Sequence, residues 1–278
     1  MEDPSLPRSG SSNGSDNAMP LKSRARESAR WLAQSIGVRE GAIPRFAVEA
    51  LGNGCLRSLA EHINAARFYH DVSGIAGWLS SPERRALYAL GLVLPGPFLE
   101  IGPWAGLSTS CIALGIRDSR TSKRFVTTEL NPTLACFRKR GSEIAFHYPP
   151  ESTELRGTSS ETEFETDIKP VLASLGGVLG TLSRTLTSLD LNALVEVIEG
   201  DFEQVAPRLA YSFVFCDAMH DPDEIAKNGP ALRNFVRPGS ILACHDVTRH
   251  PDNEMRVRTH IPMINAVVCD SLLIGEVA

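Results

Sequence analysis

From residue 97 onward, short apolar runs alternate with stretches of helical spacing, and the runs lead into acidic or other polar residues. The runs are Pro97–Ile101, Arg124–Thr128, Val195–Glu199, Phe213–Cys216 and Ile241–Cys244. Consecutive apolar positions predict strands buried on both faces. Between them, Ser108–Ile116 and Asp223–Phe235 read as helices. Strands alternating with helices predict an α/β domain, a mostly parallel sheet with helices on both faces. In such sheets, ligand-binding groups collect at the carboxyl ends of the strands. Glu100, Glu129, Asp201, Asp217, His245 and Asp246 all stand at or beside such ends.

Upstream, residues 1–20 are rich in Ser, Gly, Asn, Asp and Pro and are expected to be disordered. Helical spacing over 21–36 and 47–66 predicts a helical extension, residues 21–92. Ser81-Pro82-Glu83 carries helix-start signals: a capping serine, an early proline and an early acid. The domain proper is then expected over 93–278. A long connection, 131–190, reads as one helix, a mobile segment and a second helix, either a lid or a plain surface insertion. At the end, Ile264–Cys269 and Leu272–Val277 predict at least one antiparallel strand, with an abbreviated closing hairpin.

A net charge of −5 over 278 residues gives no basic field for nucleic acid or an anionic membrane. The six cysteines are scattered with no C-x-x-C pair, which predicts reduced, buried thiols in a cytoplasmic protein. No apolar run is long enough to span a bilayer, and no signal-peptide core is expected at the start.

The candidate chemistry starts at Glu100-Ile101-Gly102-Pro103-Trp104-Ala105-Gly106-Leu107-Ser108. Here a strand meets a glycine loop and a helix N-terminus, which favours a carboxylate or phosphate. The E-x-G-x-x-x-G spacing is neither a dinucleotide G-x-G-x-x-G turn nor a phosphate loop. Glu129 offers two acceptor oxygens to a ribose diol, or is an ordinary strand-end acid. Asp201 is a candidate helix cap as well as a ligand. His220 titrates near neutrality and is a candidate base, or is a cap or a histidine satisfied by a nearby carboxylate.

The glycine loop resembles motif I of the class I S-adenosylmethionine-dependent methyltransferases. The segments Asp217-Ala218-Met219-His220 and Cys244-His245-Asp246 resemble strand-end motifs of small-molecule O-methyltransferases, including sugar, antibiotic and, more distantly, catechol-type enzymes. The resemblance covers roughly residues 85–250, leaving the insertion unmatched. It implies a Rossmann-like seven-stranded sheet and methyl transfer to a small-molecule hydroxyl. It implies S-adenosylmethionine held by Glu100, Gly102, Gly106, Ser108, Glu129, Asp201 and Phe202. His220 with Asp217 is then the catalytic pair, and Asp217, His245 and Asp246 are a candidate divalent-metal set. One imidazole among these ligands suits Mn²⁺ or Fe²⁺ better than Mg²⁺. The extension is expected to cover the substrate side or form a homodimer contact. A cofactor-binding module without turnover and an NAD-dependent oxidoreductase are the alternatives.

Overall fold

A computed structural model describes residues 68–278. The expected tail at 1–20 and the helices expected over 21–36 and 47–66 lie outside the described residues.

Helix α1 (Ser81–Val93) begins one residue later than its cap. Ser80, not Ser81, is the N-cap, in a reciprocal capping box with Glu83. Strand β1 (Phe98–Ile101) follows, then α2 (Leu107–Asp118) and β2 (Phe125–Glu129). Helix α1 packs on α2 through two glycines. A Cβ on Gly91 would lie 2.2 Å from the Ile112 carbonyl oxygen, and one on Gly115 2.1 Å from that of Tyr88. Only residues without a side chain allow this approach, so α1 is built into the domain core.

The 131–190 connection departs from expectation. A short helical turn at Leu134–Cys136 leads into a three-stranded antiparallel sheet of β3 (Phe137–Arg140), β4 (Glu143–His147) and β5 (Leu155–Ser160). No long helix follows β2. The two-residue turn Gly141-Ser142, with Gly141 at φ 64°, joins β3 and β4; Gly-Ser is a hairpin signal the helical reading passed over. Helical segments α3 (Glu161–Glu163), a π-turn at Phe164–Ile168, and α4 (Lys169–Leu172) come next, and α5 (Gly177–Ser188) completes the crossover.

The remaining elements are β6 (Glu196–Glu199), α6 (Phe202–Val205), β7 (Phe213–Cys216), α7 (Pro222–Leu232), β8 (Ile241–Cys244), α8 (Asn253–His260), β9 (Met263–Cys269) and β10 (Leu272–Val277). The main sheet has seven strands in the order β6-β2-β1-β7-β8-β10-β9. Strands β6 to β8 in that order are parallel, and β10 and β9 are antiparallel. The closing hairpin is therefore complete, not abbreviated.

Alternation along the strands builds two cores. Phe98, Phe125, Phe213 and Phe215 face one side, against α1, α2 and Leu182 and Leu186 of α5. Leu99, Val126, Val214 and Leu242 face the other, against Phe202, Ile225, Leu232 and Val257. Burying each large side chain contributes roughly 2–3 kcal/mol, and together they fix the strand ends where the polar residues gather.

Candidate active site

The carboxyl ends of β1 and β7 are joined directly. The Asp217 N–H donates to the Ile101 carbonyl at 2.9 Å, and the Gly102 N–H to the Thr128 carbonyl at 3.0 Å. Gly102 adopts φ 81°, and a Cβ there would lie 2.7 Å from the Asp217 carbonyl oxygen. A glycine is required for both reasons.

Glu100 is fully buried and accepts a hydrogen bond from the Thr109 hydroxyl at 2.6 Å. Its Oε1 is buried without a partner among the described residues. Burial pushes its pKa up to about 7, against the pull of the Ser108, Thr109 and Thr127 hydroxyls. Glu100 and the buried Ser108 thus brace the loop from within.

Glu129 ends β2 with one oxygen accepting from the Trp104 N–H and the other from the Asn131 N–H, both at 3.1 Å. Burial raises its pKa to about 7 while these amides hold it down. Each oxygen keeps acceptor capacity for a ligand hydroxyl. This acid at a strand end and the glycine loop beside it fit an adenosyl cofactor.

Asp201 caps α6, accepting from the Glu203 N–H at 3.1 Å. Phe202 is buried with its ring 5.8 Å from that of Phe235. The insertion packs on the loop. Trp104 and Ala105 join a small core with Ile144, Phe164, Val171, Leu172 and Val178, and the Thr185 hydroxyl donates to the Ala105 carbonyl at 2.9 Å. Its far side reaches α7, where Lys227 meets Glu154 at 2.7 Å.

The second cluster is a chain of carboxylates and imidazoles. Asp217 Oδ1 lies 3.0 Å from both His220 Nε2 and His245 Nδ1. His220 Nδ1 is 2.8 Å from Glu224 Oε2, which also accepts the His220 backbone N–H at 2.7 Å. His245 Nε2 is 3.6 Å from Glu83 Oε2. The carboxylates raise the pKa of His220 well above its usual value, and that of His245 to about 10, in spite of burial. The His245 and His220 imidazoles in turn hold Asp217 well below the usual carboxylate range, against the opposing cost of burial. The His220 and Asp217 side chains are 29% and 23% exposed and can meet a ligand, whereas His245 at 4% cannot.

The metal expectation for Asp217, His245 and Asp246 is not supported. Among the described residues no group of three or more His, Cys, Asp or Glu is placed to hold an ion. His245 Nδ1 and His220 Nε2 both face Asp217 Oδ1 at 3.0 Å, so this oxygen is already engaged by two rings. Asp246, at φ 61°, lies 3.6 Å from both His245 and Arg249. This donor set does not fit a divalent ion.

Glu224 and Asn253 were missed from sequence. Glu224 stands four residues after His220 in the first turn of α7, a spacing that was legible. Asn253, fully buried, donates to the His220 carbonyl at 2.9 Å, a contact with no local signal. Glu83 was read only as a helix-start acid.

A family model described as "Methyltransferase domain" matches residues 99–247, more than half of the chain. The chain belongs to this methyltransferase family. Methyl transfer is its activity class, and its mostly parallel seven-stranded sheet is the one that the class I S-adenosylmethionine-dependent resemblance implies. No curated protein matches by sequence. Among solved structures, the chain is similar to the methyltransferase PaMTH1 of Podospora anserina bound to SAH, at 15% identity and TM-score 0.43, covering 95% of this chain and 99% of that one. It is similar to the calicheamicin methyltransferase CalS11 at 15% identity and TM-score 0.45, covering 96% and 99%. A third is cofactor-bound Rv0187 from MTB, at 15% identity and TM-score 0.45, covering 90% and 96%. Among the described residues of this methyltransferase, no helix is long and apolar enough to cross a membrane.

Proposed function

We propose that this methyltransferase transfers the methyl group to a hydroxyl of a small molecule. The observation that carries the reading is the partly exposed Asp217–His220 pair, one strand from the glycine loop and joined to its start by the Asp217 N–H on the Ile101 carbonyl. Bound S-adenosylmethionine supplies an electrophilic methyl carbon on a sulfonium. The chain must orient a hydroxyl in line with it and take the proton released when the O–C bond forms and the C–S bond breaks.

In this reading Glu129 binds the ribose hydroxyls, and Gly102, Gly106 and Ser108 shape the loop, with Glu100 bracing it. Asp201 and Phe202 border the adenine. Neutral His220 takes the acceptor proton, and Asp217 and Glu224 stabilise the imidazolium. The doubly bonded His220 of the structure corresponds to the protonated side of that step. Residues 93–278 form the catalytic domain, and α1, at the end of the expected 21–92 extension, belongs to its core. Within that extension, α1 reaches the site through Glu83.

The test is calorimetric titration with S-adenosylhomocysteine, on wild type and Glu129→Ala, with and without chelator. Labelled methyl transfer to panels of hydroxyl and amine acceptors follows. Micromolar binding, about −8 kcal/mol, weakened by the substitution and unaffected by chelator, with transfer to hydroxyls, supports the reading. Binding without turnover favours a non-catalytic module; transfer to amines alone overturns the hydroxyl assignment.

A further inference from the structure

Glu83 lies far from the strand-end motifs in sequence, yet its carboxylate is the outer end of the polar chain that reaches Asp217. It is 1% exposed. Its Oε1 accepts from the Ser271 N–H at 2.9 Å and the Ser271 hydroxyl at 2.7 Å. Its Oε2 accepts from the Ser80 N–H at 2.7 Å and faces His245 Nε2 at 3.6 Å. One buried carboxylate thus ties the start of α1 to the β9–β10 turn and to the ring after β8.

We propose that Glu83 is a positioning residue for methyl transfer, acting through His245 to orient Asp217. This rests on the hydroxyl-transfer reading above. The geometry carries it. His245 is too deeply buried to touch an acceptor, so its contribution runs through its Nδ1, 3.0 Å from Asp217 Oδ1. The other ring nitrogen is buried without a hydrogen-bond partner among the described residues, and it faces the Glu83 carboxylate at 3.6 Å. A ring between two carboxylates presents an N–H to each and cannot rotate without placing a C–H against one of them. His220 and His245 both engage Oδ1, which fixes the carboxylate plane and with it the His220 ring that takes the acceptor proton.

A plain capping role is the competing account, and the capping box separates the two. Gln serves at that helix position as Glu does, so Glu83→Gln keeps the cap and removes the charge facing His245. Ser271→Ala removes one hydrogen bond to Glu83, that of the hydroxyl, keeps the one from the backbone N–H, and leaves that charge in place. The experiment measures kcat, acceptor KM and S-adenosylhomocysteine affinity for wild type, Glu83→Gln, Ser271→Ala, His245→Asn and the Glu83→Gln/His245→Asn double variant, each checked for folding by circular dichroism. The acceptor is the hydroxyl compound that wild type turns over best.

The expected result is a kcat about tenfold lower for Glu83→Gln, with KM and cofactor affinity within twofold and Ser271→Ala near wild type. The double variant should be no slower than His245→Asn alone, because the effect passes through that ring. A folded Glu83→Gln with wild-type kcat overturns the proposal, as does a loss that adds to that of His245→Asn. Should Glu83→Gln not fold, a wild-type kcat for His245→Asn overturns it equally, and a tenfold loss at unchanged KM supports it. Wild type that transfers to no hydroxyl overturns the underlying reading, and this inference with it.

Discussion

Gly102 and Asp217 meet where the glycine loop after β1 adjoins the polar cluster after β7. A Cβ on Gly102 would stand 2.7 Å from the Asp217 carbonyl oxygen, and the residue sits at φ 81°. Neither the backbone oxygen nor the left-handed conformation can yield cheaply. Gly102→Ala is therefore expected to destabilise the fold by about 1–3 kcal/mol and to displace the loop. Chemical denaturation and calorimetric titration with S-adenosylhomocysteine check this. A variant with wild-type stability and affinity would mean that the two strand ends move independently.

Four of the parallel strands, β1, β2, β7 and β8, were legible because burial on both faces leaves no polar alternation to mislead, whereas β6 at the sheet edge is mostly exposed, against the expectation for its apolar run. Phe213–Cys216 and Ile241–Cys244 lie where their apolar runs predict them. The antiparallel hairpin of the insertion was not legible in the same way. Arg138, Lys139 and Arg140 are exposed on β3, so the strand shows almost no apolar face, and only Gly141-Ser142 marks the turn. The site divides similarly. Asp217, His220 and His245 sit in short local motifs. Glu83 and Asn253 enter it through tertiary packing of helices α1 and α8, which no local spacing encodes.

Glu129 links the binding reading to pH. Its pKa is raised to about 7 by burial. Only the ionised form offers acceptors on both oxygens to a ribose diol, so affinity for S-adenosylhomocysteine is expected to fall as pH drops from 8 to 6. Glu129→Ala should weaken binding roughly 10- to 100-fold, the worth of one or two charge-assisted hydrogen bonds. It should also flatten the pH dependence. Titrations of both proteins at three pH values decide it; an unchanged slope in the variant would move the pH dependence to another group.

The buried Glu83–His245 pair sets a stability window. The Glu83 pKa falls to about 2 despite the opposing cost of burial, because His245, Ser80 and Ser271 stabilise its charge. A depressed carboxylate contributes stability above its unfolded value near 4.5, which is lost as pH falls toward 2. His245 is raised to about 10 from 6.5, so its contribution is full below 6.5 and is lost as pH climbs toward 10. Stability from the pair should peak between about pH 4.5 and 6.5. The acid limb should be worth up to about 3 kcal/mol. Urea unfolding at pH 3, 6 and 9 on wild type and Glu83→Gln measures it. The variant is expected to lose the acid limb and to weaken the alkaline one, which Asp217 also supports, and a wild-type profile in the variant would show that the charges are not coupled.

The same arithmetic predicts where the enzyme works fastest. His220 donates toward both Asp217 and Glu224, and these carboxylates hold its pKa well above 6.5. Accepting a proton requires the neutral ring, whose population grows as pH rises toward that raised value. The turnover rate should therefore climb through the neutral and mildly alkaline range, with no bell-shaped fall from Asp217, which is ionised throughout. His220→Asn preserves one amide donor but removes the base. It should lower kcat about 10²- to 10⁴-fold and abolish the rising limb, with cofactor affinity retained. Glu224→Gln removes one of the two charges that raise the ring, so its limb should shift to lower pH. A limb that stays in place in Glu224→Gln while vanishing in His220→Asn would show that Asp217 alone tunes the base. A limb that persists in His220→Asn would assign the proton to a different acceptor.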